Sequence, residues 1–97
     1  MNIQKLMKQA QQMQEKVQRE LAELRVESSV GGGMVKVVMS GHKEVLAVTI
    51  DPEVIDPDDP AMLQDLIVAA CNDASRMVDD AMQEKVGGMT MGIPGLS

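Results

Sequence analysis

A chain of 97 residues without Phe, Tyr or Trp can form one domain, whose modest core must be built from Val, Leu, Ile, Ala and Met. Its formal net charge of −6 is uneven, because residues 1–25 hold five bases and three acids whereas residues 51–97 hold two bases and ten acids. The single Cys excludes an internal disulfide, and the absence of a long apolar run argues against a membrane span or signal-peptide core, so we expect a cytoplasmic protein with no membrane partner.

Residues 2–25 are predicted to form one long helix, because Gln, Lys, Glu, Met, Leu and Ala dominate and Gly and Pro are absent. Apolar residues recur at steps of three and four, close to a heptad repeat. A helix of about 35 Å is longer than a small domain covers, so part of it should project or pair with another helix. The apolar seam consists of Ile3, Leu6, Ala10, Met13, Val17, Leu21 and Leu24.

Residues 26–50 alternate in a pattern typical of β-strands. "VESSV" predicts a short strand, and "MVKVVMS" and "EVLAVTI" flank a hairpin turn at Gly41, His42 and Lys43. One face of the sheet is fully apolar. The other face is mixed and has too little polar character to be left in water, which favours a dimer.

The loop "DPEVIDPDDP" is followed by a second predicted helix, at about 61–85, that ends at Gly87 and Gly88. The order is α-β-β-β-α, an α+β fold with a three-stranded antiparallel sheet. Residues 1–88 are expected to form a single domain, and residues 89–97 a mobile C-terminal tail.

The stretch "GGGMVKV" raises the question of a phosphate-binding loop. A P-loop needs G-x-x-x-x-G-K-[ST] between a strand and a helix, so that backbone N–H groups face the phosphate. Here the spacing fails and the glycines lead into a strand. We expect a bulge or sharp bend, where glycine tolerates positive φ.

Other chemistry-bearing residues give no catalytic or metal site. His42 lies in a turn without a predicted nucleophile, and Cys71 has no predicted cation to lower its pKa. The Asp residues of the loop lack the spacing and glycine of a calcium loop. We therefore expect no enzyme, no cofactor, no metal and no small-molecule substrate.

A polar stripe on the first helix is the remaining candidate site. Its members step by three and four, share one face and lie roughly opposite the apolar seam. Four bases over about 20 Å could follow a phosphate backbone, and glutamines could add hydrogen bonds. An ordinary solvated helix face explains the same pattern. The stripe consists of Lys5, Lys8, Gln12, Lys16 and Arg19.

Several motifs in order along the chain resemble the YbaB/EbfC family of bacterial nucleoid-associated proteins: "MNIQKLMKQAQQMQEKVQRELAEL", "GGGMVKV", "VTIDPEVI", "LQDLIVAACNDA" and "GMTMGIPGL". The resemblance covers almost the whole chain. It implies a tweezer-like homodimer that binds double-stranded DNA, acts in nucleoid organisation and gene regulation, and has no catalytic activity. The family's basic helical positions correspond to Lys5, Lys8, Lys16 and Arg19.

Two readings of the function therefore stand. The first is a DNA-binding homodimer in the nucleoid that contacts the DNA backbone through the stripe. The alternative is a protein–protein interaction module that uses the helix seam and Met-rich surfaces, for which the bases of the stripe would be dispensable.

Overall fold

The computed structural model describes residues 2–90 and the side-chain surroundings of residues 2–85. It confirms the α-β-β-β-α order and the α+β class. The tail predicted for residues 89–97 lies, from residue 91 onward, outside the described residues. The elements are α1 (Ile3–Glu23), β1 (Arg25–Val30), β2 (Val35–Ser40), β3 (Val45–Ile50) and α2 (Pro60–Thr90), with 3₁₀ turns at Gly31–Gly33 and Pro52–Val54.

The three strands form one antiparallel sheet in the order β1-β2-β3, so β2 is central. Val30 pairs with Val35 across the first connection, and Val37 pairs with both Ser28 and Val48. The register of β2 and β3 shifts at Met39, where β3 carries one extra residue. Such a bulge increases the local twist of the edge strand.

α2 packs across β1 and β2 and closes the core. Small side chains at Ala70 and Ala74 let this helix approach the sheet, and both are fully buried. The buried Ser28 hydroxyl donates a 2.7 Å hydrogen bond to the Ala70 carbonyl, which ties the helix to the sheet at one position. The continuous core consists of Val35, Val37, Met39, Ala70, Ala74 and Val78.

The three glycines, Gly31–Gly33, connect β1 to β2. Their φ angles of +62°, +68° and +92° lie in the left-handed region that residues other than glycine rarely adopt. The expected sharp bend with positive φ is confirmed, in the form of a 3₁₀ turn.

A fourth glycine, Gly41, joins α1 to the rest of the fold. It is buried at the β2–β3 turn, and a Cβ placed there would come within 2.3 Å of the Leu21 carbonyl oxygen. Beside it, the Ser40 hydroxyl accepts hydrogen bonds from the backbone N–H groups of His42 and Glu44. The last turn of α1 therefore rests directly on the hairpin backbone.

The sheet face turned away from α2 is mixed, as the sequence predicts. It carries Glu27, Ser29, Lys36 and Thr49, all of them exposed, together with the apolar Val38 and Ala47. The exposed large apolar side chains of the sheet lie on β3. One helix is about 10 Å wide, and strands lie about 4.8 Å apart, so α2 covers two strands and leaves the third open.

The predicted end of the second helix is also wrong. α2 continues through Gly87 and Gly88 to Thr90. Glycine costs a helix only about 1 kcal/mol per residue relative to alanine, so it disfavours the helix without necessarily ending it.

Candidate nucleic-acid interface

α1 is an arm that projects from the sheet. The Asn2 side chain caps its first turn by accepting a 3.2 Å hydrogen bond from the Lys5 backbone N–H. Every side chain from residue 2 to residue 16 is exposed, and burial begins only at Val17. The expected projection of this helix is therefore confirmed.

The five members of the predicted stripe are all exposed on this arm. At about 100° per residue, the stripe is centred roughly 140° around the helix from the apolar seam. Lys5 and Arg19 are separated by about 20 Å along the axis. The structure therefore presents Lys5, Lys8, Gln12, Lys16 and Arg19 together on one accessible side; whether they contact DNA stays a prediction.

The acids of α1 divide this stripe into two parts. Glu15, Glu20 and Glu23 all lie in the half of the helix nearest the sheet, within one turn of Lys16 or Arg19. Lys5 and Lys8 have no acid within one helical turn. Unscreened positive charge is therefore greatest at the free tip of the arm, where an anion would be attracted most strongly.

An open groove of about 730 Å³ separates α1 from the far end of α2. At its inner end Lys85 Nζ lies 3.7 Å from Glu20 Oε2, so an ion pair joins the two helices there. Met13 and Val17 form an apolar strip along the α1 wall. Gln9, Gln12 and Lys16 edge the groove, which places it beside the stripe.

The structure also places the other chemistry-bearing residues that the sequence singled out. His42 is exposed in its turn, and Cys71 is half-buried on the flank of α2. Among the described residues, no three His, Cys, Asp or Glu side chains are grouped so that they could hold a metal ion. None of the described helices is long and apolar enough to cross a membrane.

Sequence reasoning missed an apolar surface at the edge of the sheet. Val45, Leu46 and Val48 on β3 are each between 44% and 47% exposed. Val68 of α2 is 58% exposed. It shares a helix face with Asp79, three turns further along, whose side chain pairs with Lys43 of the β2–β3 turn at 2.9 Å, so we infer that Val68 lies on the β3 side of α2. The apolar run "VLAV" is visible in the sequence, but whether these side chains are exposed depends on how many strands α2 covers.

Comparison with known proteins gives three findings. The model of the family described as "YbaB/EbfC DNA-binding family" matches residues 1–93. A nucleoid-associated protein of Chloroflexus aurantiacus is 52% identical over 99% of both chains. A nucleoid-associated protein of Exiguobacterium is 58% identical over 80% of this chain and 74% of its own length.

Among solved structures, the crystal structure of an uncharacterized protein from Helicobacter pylori is similar, with a TM-score of 0.68 at 23% identity. The match covers 87% of this chain and 98% of that one. At this identity the similarity supports the fold alone.

Proposed function

The chain belongs to the YbaB/EbfC DNA-binding family, and from this membership we propose that it binds duplex DNA as a nucleoid-associated protein in the bacterial cytoplasm. Its role is the organisation of the nucleoid and the regulation of genes. The observation that carries the proposed mechanism is the row of exposed bases on a projecting helix. We assign no catalytic role to any residue.

α1 contacts the phosphate backbone, and its tip contributes most. Lys5 and Lys8 have no neighbouring acid, whereas Lys16 and Arg19 share their surface with acids that weaken their attraction for phosphate. Contacts to phosphates carry no base information, so binding through this stripe is expected to depend weakly on DNA sequence. The acidic half of the chain faces away from DNA.

The protein acts as a homodimer whose subunits meet at β3. Val45, Leu46 and Val48 of β3 are exposed, as is Val68 of α2, and β3 offers unpaired backbone groups along its outer edge. A second copy placed there would cover this surface and would present two arms to the same duplex. Two arms double the number of phosphate contacts.

The stripe is tested by fluorescence anisotropy of a labelled duplex at increasing salt. Each phosphate contact adds about −0.9 to the slope of log K against log salt. Replacing both Lys5 and Lys8 by Ala should flatten the slope and weaken binding alike for unrelated duplexes. The corresponding change of Lys16 and Arg19 should have a smaller effect.

Two controls accompany this measurement. Gln4→Ala with Gln11→Ala alters the same helix without changing its charge, and Glu53→Ala with Asp56→Ala alters the acidic half. Both should leave the slope nearly unchanged. If the Lys5 and Lys8 variant stays folded and binds with the original affinity and slope, the stripe is a solvated helix face, and the protein–protein interaction module becomes the better description.

The dimer is tested by sedimentation at micromolar concentration. Val48→Asp places a charge on the exposed apolar surface of β3 and should give the monomer mass. Thr49→Asp is the matched control, because Thr49 points to the polar face of the same strand. A monomeric wild type, or a Val48→Asp variant that remains dimeric, would contradict the interface.

A further inference from the structure

The arm formed by α1 carries an exposed apolar face. Ile3, Leu6 and Met13 of the seam are 67%, 53% and 56% exposed, and Met7 on its flank is 60% exposed. A helix of this length is marginally stable in water by itself and gains most of its stability from packing of its apolar face. A contiguous apolar face on a projecting helix therefore indicates a surface that binds another protein segment.

The spacing of the seam identifies a second helix as the segment that binds there. Apolar residues recur at steps of three and four from Ile3 to Val17, which is the repeat by which two helices pack against each other. Along this length Met7, Gln9 and Gln14 flank the seam, and none of them is charged. Two copies of α1 can therefore meet at the seam without bringing like charges together.

The charges of α1 favour an antiparallel arrangement of two copies. The tip carries Lys5 and Lys8 and no acid, whereas residues 14–24 hold three acids and two bases. Packed helices lie about 8–10 Å apart, which is close to the Debye length at physiological salt, so charges on one helix act on the other. An antiparallel pair places each basic tip beside the acidic base of the other arm, whereas a parallel pair would place four bases together.

The groove between α1 and α2 gives the tip of a second arm a place to enter. The groove is open and has a volume of about 730 Å³. Met13 and Val17 make its α1 wall apolar, and the carboxylates of Glu20 and Glu84 also line it. A tip whose seam begins at Ile3 and whose charge is positive matches this lining in both apolar character and charge.

We propose that the arms of two copies, each from a different β3 dimer, pair antiparallel through their seams with the centre of the pair at Ala10. Residue 10 is the midpoint between Ile3 and Val17, and the small side chain of Ala10 lets the two helices approach closely where they meet. In this register Ile3 of each arm lies beside Val17 of the other arm, and Met7 lies beside Met13.

Pairing through the seam leaves both stripes free to bind DNA. The stripe is centred roughly 140° around the helix from the seam, so the two stripes face outward on opposite sides of the pair. Two packed helices, each about 10–12 Å wide, separate the outer surfaces by about 20 Å. One pair of arms therefore bridges two duplexes. The bridging rests on the proposed DNA binding, whereas the contact between the seams does not.

The contact between the seams is tested without DNA, so that its failure is distinct from a failure of the proposed function. A Cys71→Ser chain has no thiol, and Ala10→Cys then supplies one at the centre of the proposed pair. At high micromolar protein concentration, a short bifunctional maleimide should link these chains several times more than chains with Gln12→Cys. The Gln12 positions face outward about 20 Å apart, beyond the reach of the reagent. Denaturing electrophoresis measures the linked fraction.

Bridging is tested by capture of a labelled duplex on an immobilised duplex of unrelated sequence. Leu6→Gln with Met13→Gln removes two seam side chains without changing the charge, and glutamine is a good helix former. This variant should lose capture of the second duplex. Its affinity for a single duplex in solution should stay within a factor of about two, because phosphate contacts set that affinity. Gln4→Ala with Gln11→Ala, away from the seam, should keep both activities.

Equal linking of the Ala10→Cys and Gln12→Cys chains would overturn the contact between the seams. A thiol at position 10 that resists a monofunctional maleimide at every protein concentration would also overturn it, in favour of cover from within the same subunit. Capture of the second duplex by the Leu6 and Met13 variant, or a wild type that binds one duplex and captures no other, would overturn the bridging. If no duplex binds at all, the proposed function fails and the linking result alone decides the contact.

Discussion

The sheet with α2 and the arm formed by α1 are held in place by different means. Every buried apolar residue of the central core lies on β2 or α2, whereas α1 has no fully buried residue among the described ones. The first region depends on tertiary burial. The second depends on helix propensity, its Asn2 cap and contacts at one end. One region can therefore lose its structure while the other keeps it.

The largest expected effect comes from placing a charge within the core. Ala74→Asp should abolish cooperative unfolding, because burying an unpaired carboxylate costs several kcal/mol, a large share of the ~5–15 kcal/mol that stabilises a domain. Ala69→Asp, on the exposed side of the same helix, should change the free energy of unfolding by less than about 0.5 kcal/mol. Urea unfolding followed by circular dichroism compares them, and a shared midpoint would contradict the burial of Ala74.

A smaller effect is expected at the junction between the two regions. Gly41→Ala would place a methyl group against the Leu21 carbonyl and should destabilise the protein by roughly 1–3 kcal/mol. The displaced element is the last turn of α1, so amide exchange there should accelerate more than in β2.

Gly32→Ala is the control for that change. A Cβ at Gly32 has no neighbouring atom within 4 Å, and its cost of about 1–2 kcal/mol comes from a positive φ. Gly32→Ala should destabilise the β1–β2 connection without changing the hydrogen exchange of the α1 backbone amides. If Gly41→Ala and Gly32→Ala change the exchange of α1 equally, the junction does not depend on the close approach.

The smallest effect is expected from the ion pair between Lys43 and Asp79. Both side chains are about half exposed, and such pairs contribute roughly 0–1 kcal/mol. Asp79→Ala should lower stability slightly more than Asp80→Ala, for which residues 2–85 show no ion pair, and the difference should shrink at high salt. Paired urea titrations at two salt concentrations measure it, and an effect above about 2 kcal/mol would show that Asp79 does more than pair with Lys43.

The parts of the fold that follow local rules could be predicted from the sequence. The heptad-like spacing from Ile3 to Leu24 predicts α1, and the strand alternation around Gly41 predicts the hairpin. The three glycines mark a bend that can adopt positive φ, and the structure has positive φ at all three. In each case the deciding interactions lie within a few residues in sequence.

The remaining features depend on distances between elements. Exposure of Val48 follows from the width of α2 relative to three strands, and the role of Gly41 follows from where Leu21 passes over it. The periodicity of the sequence encodes neither the number of strands that α2 covers nor the path of α1 over Gly41. For the candidate site, spacing predicts that the bases share one side of α1, but it gives neither the exposure of the tip nor the path of DNA along it.

The slender outline of the chain also governs how it moves through solvent. Its extents are 70 × 25 × 16 Å and its radius of gyration is 19.1 Å, whereas a compact chain of about 100 residues has a radius of gyration near 13 Å. An elongated particle experiences more friction than a sphere of equal mass. A single subunit will therefore elute from a gel-filtration column ahead of globular standards of its own mass, so elution volume overstates the number of subunits and light scattering gives the correct count.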